Sequence, residues 1–83
     1  MVSKHLYGAV RVHDTTLRQI AATFGSRSFT NVDLRAAGMD LAGIMTSFHR
    51  SGCIERVGWD GRGKGVWKLS SELVDHYAAE ATA

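Results

Sequence analysis

The sequence predicts an α+β domain in which three helices precede a two-stranded β-hairpin and one further helix follows it. Three observations carry this prediction. Apolar residues recur at helical spacing up to about residue 48, and a glycine-rich tip separates two β-prone runs after it. Helix start and stop signals lie between the helical stretches. The clearest of these patterns fall within residues 40–69, where the third helix runs directly into the hairpin.

Length and composition predict one small soluble domain. The chain has 83 residues, 45% of them apolar and 22% charged, so a single domain with a core over residues 14–70 is expected. We expect residues 1–5 and 79–83 to be loosely ordered. The N-terminus lacks the pattern of a signal peptide, and no apolar run reaches the ~18 residues of a membrane span. The single Cys53 fits a reducing compartment. The expected location is cytoplasmic, and nucleoid-associated in a prokaryote.

The first helix is predicted over residues 15–24. Asp14 is a suitable N-cap for it, and Gly25 is placed to end it. The apolar face has helical spacing and comprises Leu17, Ile20, Ala21 and Phe24. Before this helix, residues 6–12 are rich in β-forming side chains, and both a short strand and a first helical turn remain open there.

The second helix is predicted over residues 31–37 by two start signals that agree. Thr30 as N-cap and Asp33 three residues later form a capping-box pair. Phe29 and Leu34 then take the positions of a hydrophobic staple across the same boundary. Gly38 is expected to end this helix.

The third helix is predicted over residues 40–51, with Asp40 as its N-cap and Gly52 as its stop signal. One stripe about 100° wide is apolar and should be buried, because it comprises Leu41, Ile44, Met45 and Phe48. The opposite face is small and polar, with Ala42, Gly43, Thr46, Ser47 and Arg50. A glycine inside a helix costs about 1 kcal/mol relative to alanine, which suggests close approach to a partner or tight packing at Gly43.

The hairpin is predicted from strands at 53–59 and 66–70 around an Asp60-Gly61 turn. Ile54 and Val57 have opposite parity, so a β-bulge or an early turn must intervene. Trp59 and Trp67 are expected to pack as cross-strand neighbours, and base stacking on single strands is the less favoured alternative. Ser70 or Ser71 should cap the last helix, whose contact side comprises Leu73, Val74 and Tyr77.

The order of elements resembles that of winged helix-turn-helix DNA-binding domains. The resemblance lies in residues 29–58 (FTNVDLRAAGMDLAGIMTSFHRSGCIERVG) and 61–70 (GRGKGVWKLS). It implies a three-helix core, a β-hairpin wing and here an extra C-terminal helix. It also implies that helix 40–51 enters the major groove and that wing 59–67 lies on the backbone or in the minor groove.

The DNA-binding residues expected from this resemblance lie on the second helix, the third helix and the wing. Thr46 and Ser47 can donate or accept hydrogen bonds, and Arg50 can contact a guanine or a phosphate. The glycines of the tip would let Arg62 and Lys64 approach phosphates closely. The full expected set comprises Thr30, Asn31, Arg35, Ala42, Gly43, Thr46, Ser47, Arg50, Arg62 and Lys64. The alternative interpretation is an ordinary solvent face and a long turn.

The charge of one segment, and not the net charge of the chain, supports a nucleic-acid partner. The net charge is +2, yet residues 50–68 hold five Lys/Arg against two Asp/Glu. Four further acids lie near expected helix starts, where they complement the helix dipole: Asp14, Asp33, Asp40 and Glu72. A solvated charged surface is the alternative.

The expected partner is double-stranded DNA, bound by a homodimer that forms through residues 6–12, the Leu73/Val74/Tyr77 face, or both. No catalytic set, metal site, P-loop or cofactor site stands out, so we expect no enzyme activity, no cofactor, no small-molecule ligand and no membrane partner. The alternative function is a winged-helix protein–protein interaction module, a viral inhibitor, or a subunit of a nucleic-acid machine without its own sequence-specific DNA binding.

Overall fold

The computed structural model describes residues 4–41 and 43–82. In this part of the chain, four helices accompany one two-stranded antiparallel sheet. The elements in chain order are α1 (Lys4–Phe24), α2 (Asn31–Ala36), α3 (Met45–Ser51), β1 (Ile54–Trp59), β2 (Gly65–Leu69) and α4 (Ser71–Thr82). The predicted α+β order of helices, hairpin and last helix is therefore confirmed.

The first helix is longer than predicted and carries a kink. It begins at Lys4, and the backbone leaves helical geometry only at His13, with φ −117° and ψ 24°. The strand considered for residues 6–12 is therefore wrong, and the helical alternative holds. Leu6 is only 2% exposed, so burial in the core stabilises a turn that the local sequence leaves ambiguous. Gly25, with φ +59°, ends the helix as predicted.

The predicted N-cap Asp14 is instead a residue within α1. Its carboxylate accepts hydrogen bonds from Arg18 one turn later and from the hydroxyl of Tyr77 in α4. The carboxylate thus bridges two helices, because α4 packs against this turn of α1. The sequence offered no sign of that partner, which lies 63 residues away.

The start of α2 follows the prediction. The Thr30 hydroxyl accepts from the Asp33 amide at 3.3 Å, and the Asp33 carboxylate accepts from the Thr30 amide at 3.0 Å. Both bonds of the capping box are present. The helix ends at Ala36, one residue earlier than expected, and Gly38 follows with φ +83°.

The third helix begins at Met45, so its predicted start at Asp40 is wrong. Residues 43 and 44 form a turn instead, in which the Leu41 carbonyl accepts from the amides of Ile44 and Met45. Asp40 is exposed and caps no helix, and Gly43 lies outside the helix. The turn avoids the entropic cost of a helical glycine. Gly52, with φ +84°, ends α3 as predicted.

The hairpin contains a β-bulge at Val57, which is the first of the two predicted solutions. Trp59 therefore lies opposite Gly65, and Trp67 lies opposite Arg56. The expected Trp59–Trp67 cross-strand pair is wrong, because the register that pairs Ile54 with Leu69 already places Trp67 opposite Arg56, three residues before Trp59.

Phe29, which lies outside both strands, pairs with Trp67 of β2 as an isolated antiparallel bridge. Its amide donates to the Trp67 carbonyl at 2.7 Å, and the Trp67 amide donates back to the Phe29 carbonyl at 2.8 Å. Phe29 directly precedes the capping box of α2, so these two bonds fix the start of α2 beside β2.

The core is formed by all four helices and both strands, with Phe29, Phe48, Leu17, Ile20, Ile54 and Leu73 among its most buried side chains. Leu73 and Tyr77 of α4 are buried, and the Ser70 hydroxyl accepts from the Leu73 amide, so Ser70 is the cap. The predicted contact side of α4 is therefore confirmed. Its Leu73 and Tyr77 pack against the same chain and not against a second copy. Nowhere in the described ranges is a helix both long and apolar enough to cross a bilayer.

Candidate nucleic-acid interface

The exposed side of α3 carries most of the polar residues that the sequence selected. Thr46, Ser47 and Arg50 are exposed, whereas Met45 and Phe48 on the other side are buried. Gly43 is also exposed, in the turn before the helix, and Ala42 lies outside the described residues. The predicted division of this segment into a buried and an exposed face is therefore correct, although the helix is shorter.

The three residues selected at α2 differ in their surroundings. The Thr30 hydroxyl is engaged in the capping box, and Arg35 is exposed. Asn31 is half-buried, and its buried Oδ1 accepts no hydrogen bond from any described residue. Asn31 and Arg35 both line a cleft of about 120 Å³ that Asp40 and Leu41 close on the other side.

The hairpin tip is organised by the side chain of Asp60. One carboxylate oxygen accepts from the amides of Arg62 at 2.8 Å and Lys64 at 2.9 Å. The Asp60 amide donates to the Lys64 carbonyl, and Gly63 takes φ +75° within the turn. These bonds hold the backbone while the side chains of Arg62 and Lys64 remain exposed. The tip therefore presents two cations from a defined loop.

Most cations of α2, α3 and the hairpin have no acidic partner among the residues that the structure describes. Within residues 4–41 and 43–82, no ion pair involves Arg35, Arg50, Arg62 or Lys64. Lys68 alone among the hairpin cations pairs with an acid, Glu55, at 3.7 Å. The tip carboxylate of Asp60 is occupied by backbone amides. Unpaired guanidinium and ammonium groups are the groups that bind phosphates most directly.

A ladder of rings and one guanidinium connects α3 to the hairpin; we call it the Trp–Arg ladder, and it comprises His49, Trp67, Arg56 and Trp59. His49 of α3 meets Trp67 edge-on, with ring centroids 5.4 Å apart. The Arg56 guanidinium carbon lies 4.8 Å from the Trp67 ring and 4.4 Å from the Trp59 ring. The ladder thus ties the orientation of the hairpin to α3.

The DNA-binding set expected from the sequence omits His49, Arg56 and Trp59, although base stacking by the tryptophans is the less favoured alternative. The available signal was the parity conflict between Ile54 and Val57, because a bulge there moves Trp59 to the side of Arg56. A bulge at Val57 places the side chains of Trp59 and Arg56 on the same face of the hairpin.

In another part of the fold, charged groups of α1 and α4 bond with one another. Arg18 contacts both Asp14, at 3.1 Å, and Glu80, at 2.6 Å. The hydrogen bond from Arg18 lowers the pKa of Asp14 below its ordinary value. Burial, followed by hydrogen-bond donation to Asp14, raises the pKa of Tyr77. The charged groups of Asp14, Arg18 and Glu80 therefore join α1 to α4.

Neither a metal centre nor an activated thiol is visible in the described part of the chain. No three His, Cys, Asp or Glu side chains gather there as a metal site would require. Cys53 is buried, and burial raises the pKa of its thiol, which disfavours the reactive thiolate.

The candidate site therefore combines the exposed polar side of α3, the basic hairpin tip and the Trp–Arg ladder that joins them. Comparison of the chain with protein-family models, curated proteins and solved structures finds no match.

Proposed function

We propose that this protein is a sequence-specific double-stranded-DNA-binding protein of the winged helix-turn-helix type that acts as a small transcriptional regulator. The observation that carries the proposal is the set of exposed cations on α2, α3 and the hairpin tip that form no ion pair with any described residue. Such groups gain most when they meet phosphates, because binding releases the counterions condensed on DNA.

The order of elements supports the winged-helix assignment. A short helix, a turn and a second helix precede the hairpin directly, as in the helix-turn-helix arrangement with a wing. The Phe29 bridge holds the start of α2 beside β2, and the Trp–Arg ladder holds β1 and β2 beside α3. Helix and wing therefore form one surface of fixed geometry.

In this proposal α3 reads bases and the tip binds the backbone. Helix α3 has seven residues, which is about 10 Å of helix at 1.5 Å per residue. Thr46 and Ser47 offer hydroxyls to base edges, and Arg50 offers a guanidinium to a guanine or a phosphate. Arg62 and Lys64 contribute charge without base readout.

The decisive experiment is selection of bound sequences from a random pool of DNA duplexes, followed by affinity measurements on the most enriched sequence. We expect Thr46→Ala and Arg50→Ala to retain the fold, because both side chains are exposed. Each lost base contact should cost about 1–3 kcal/mol of discrimination. Thr15→Ala and Lys4→Ala, at exposed positions of α1 outside residues 6–12, are the matched controls and should bind normally. Failure to enrich any sequence, or normal binding by both α3 variants, would refute base reading by α3.

A homodimer would place two such surfaces in register on a palindromic site. Of the two interfaces expected from the sequence, the α4 face offers less to a second copy, because Leu73 and Tyr77 are buried within the same chain and Val74 is half-buried. The remaining segment, residues 6–12, exposes Tyr7 and Val12. We expect sedimentation to show a dimer at high micromolar concentration that Tyr7→Ser with Val12→Ser converts to a monomer. A monomer with and without DNA would exclude this assembly.

A protein-interaction module is the second candidate, favoured by two large apolar side chains on β1. Val57 and Trp59 are both exposed there. This candidate predicts no duplex binding even at low salt. Duplex affinity that falls steeply with salt would instead favour DNA, since each phosphate contact adds about 0.9 to the slope of log affinity against log salt.

A further inference from the structure

The two tryptophans of the hairpin occupy opposite environments. Trp67 is 8% exposed and packs in the core, whereas Trp59 is 61% exposed at the end of β1, next to the tip. Exposing an indole forfeits a large apolar burial, so the exposed position of Trp59 contributes little to folding.

The bulge at Val57 determines the side on which Trp59 lies. Strict alternation would put Trp59 on the face opposite to Arg56, but the extra residue reverses the parity after it. The Arg56 guanidinium consequently lies over the rings of both Trp59 and Trp67. Gly65, opposite Trp59, presents no side chain of its own that could cover the indole.

Arg56 orients the exposed indole. Its guanidinium carbon lies 4.4 Å from the centroid of the Trp59 ring, which is the distance of a stacked cation–π contact. Arg56 forms no ion pair with any described residue, so its charge is not neutralised from the side. A guanidinium covers only part of an indole, and the exposed fraction of Trp59 shows that much of the ring surface is still accessible.

We propose that Trp59 is a stacking platform for an unpaired base, and that the preferred ligand is duplex DNA with an adjoining single-stranded segment. This inference rests on the proposed DNA-binding function and names its substrate class. A nucleobase is planar and apolar on its faces, so it stacks on an oriented indole whatever its sequence. Within a continuous duplex both faces of each base are already covered by neighbouring pairs, and the platform would remain empty.

Neighbouring charges favour a nucleic-acid strand as the occupant. Arg62 and Lys64 lie three and five residues after Trp59 on the tip that Asp60 organises, and both side chains are exposed. Phosphates flanking a stacked nucleotide would meet these cations. Cations beside an oriented aromatic ring are the combination that binds single strands.

The test compares three DNA probes that share one 20-base-pair duplex. The first is blunt, the second carries a four-nucleotide thymidine tail, and the third carries a tail of four abasic nucleotides with the same phosphates. Fluorescence anisotropy at one salt concentration measures each affinity. We expect the thymidine tail to bind about tenfold tighter than the abasic tail, because only the former offers a base for stacking.

Variants assign this preference to the indole. Trp59→Ala should bind the thymidine and abasic tails equally, and Trp59→Phe should retain part of the preference because it keeps an aromatic face. Val32→Ala, which removes an exposed apolar side chain from α2 and leaves the bulge intact, is the control and should keep the full preference. Thermal unfolding of each variant verifies that the fold is intact.

The outcomes separate this inference from the proposed function. Blunt duplex binding with equal affinity for the two tails would overturn the stacking role and leave duplex binding standing. A base-dependent preference that survives in Trp59→Ala would also overturn it. Absence of binding to all three probes at low salt would overturn the proposed function and the inference together.

Discussion

The two sides of this molecule use their charged residues differently. Helices α1 and α4 together hold three Lys/Arg against four Asp/Glu, and residues 25–70 hold seven Lys/Arg against four Asp/Glu. On the first side, Arg18 joins Asp14 and Glu80 across the two helices. On the second, Asp33 and Asp60 accept from backbone amides, and most cations form no ion pair with a described residue.

The difference separates residues that hold the fold from residues that are available to a ligand. Charges that are already paired within the chain offer little to a partner, whereas acids that bond to backbone amides leave nearby cations without a direct ion-pair partner. A net charge of +2 therefore understates the charge that a ligand meets at α3 and the hairpin. Changes to the bonded groups that join α1 and α4 should alter stability alone, and changes to exposed groups of α3 and the tip should alter binding alone.

The largest loss of stability is expected where α3 packs against α1. Phe48 of α3 is buried and meets His13 of α1 edge-on, with ring centroids 5.1 Å apart. Phe48→Ala should destabilise the protein by about 3–5 kcal/mol, because it leaves a cavity in a small core. Urea unfolding measures the loss. Thr46→Ala, on the exposed side of the same helix, is the control and should change stability by less than about 0.5 kcal/mol. Equal stability of the two variants would contradict the assignment of faces on α3.

A smaller loss is expected at Gly65, whose missing side chain makes room for Trp67. A Cβ at Gly65 would lie 2.9 Å from Cζ2 of the Trp67 ring. The ring is confined by His49 and Arg56, so Gly65→Ala should destabilise by about 1–3 kcal/mol through overpacking. Gly61→Ala is the matched control, because a Cβ there meets no atom within 4 Å. Equal thermal midpoints for the two variants would show that Trp67 adapts freely.

The next effect concerns binding without a change in stability. Arg62→Ala with Lys64→Ala should flatten the slope of log affinity against log salt by about 1–2 per protomer. All sequences should weaken alike, and the thermal midpoint should hardly move, since exposed charges contribute little to folding. Lys4→Ala with Arg27→Ala removes the same charge at exposed positions outside the proposed DNA contacts and residues 6–12, and should keep the slope.

Two results would contradict this prediction. An unchanged slope with altered base preference would mean that the tip reads sequence. If neither the salt slope nor the base preference changes, the hairpin does not contact DNA. That result would favour the protein-interaction module as the function.

The smallest effect is expected on the α1–α4 side and depends on pH. Tyr77→Phe removes the hydroxyl that donates to Asp14 and should cost about 0.5–1.5 kcal/mol at neutral pH. The pKa of Asp14 is lowered in the folded state, so its contribution is complete above its ordinary pKa of about 3.9 and is lost as the pH falls through the lowered value. The difference between wild type and variant should therefore shrink below about pH 4.

Urea unfolding between pH 3 and pH 7 measures this dependence. Tyr7→Phe, at an exposed tyrosine of α1, is the control and should show no difference at any pH. Weaker DNA binding by Tyr77→Phe at neutral pH would contradict the separation of the two sides.

Local signals in the sequence determined the elements whose cause is local. The capping box at Thr30 and Asp33 depends on two side chains three residues apart, and both of its bonds form. Gly25 and Gly52 end their helices because positive φ costs a glycine little, and this requires no distant partner. The apolar spacing from Leu41 to Phe48 likewise predicted which side of that segment is buried, because periodicity alone decides the face.

The tertiary structure decided what depends on distant contacts. Burial of Leu6 makes residues 6–12 helical, and packing against α1 covers Leu73 and Tyr77, which the sequence alone left available to a second copy. The start of α3 moved to Met45 because a closed turn competes with a helix that would contain Gly43. Trp59 and Trp67 have similar sequence surroundings, yet the bulge and the Phe29 bridge expose one indole and bury the other. Pairing partners, unlike caps and periodicity, lie far apart in the chain, so only the folded arrangement of the whole chain selects them.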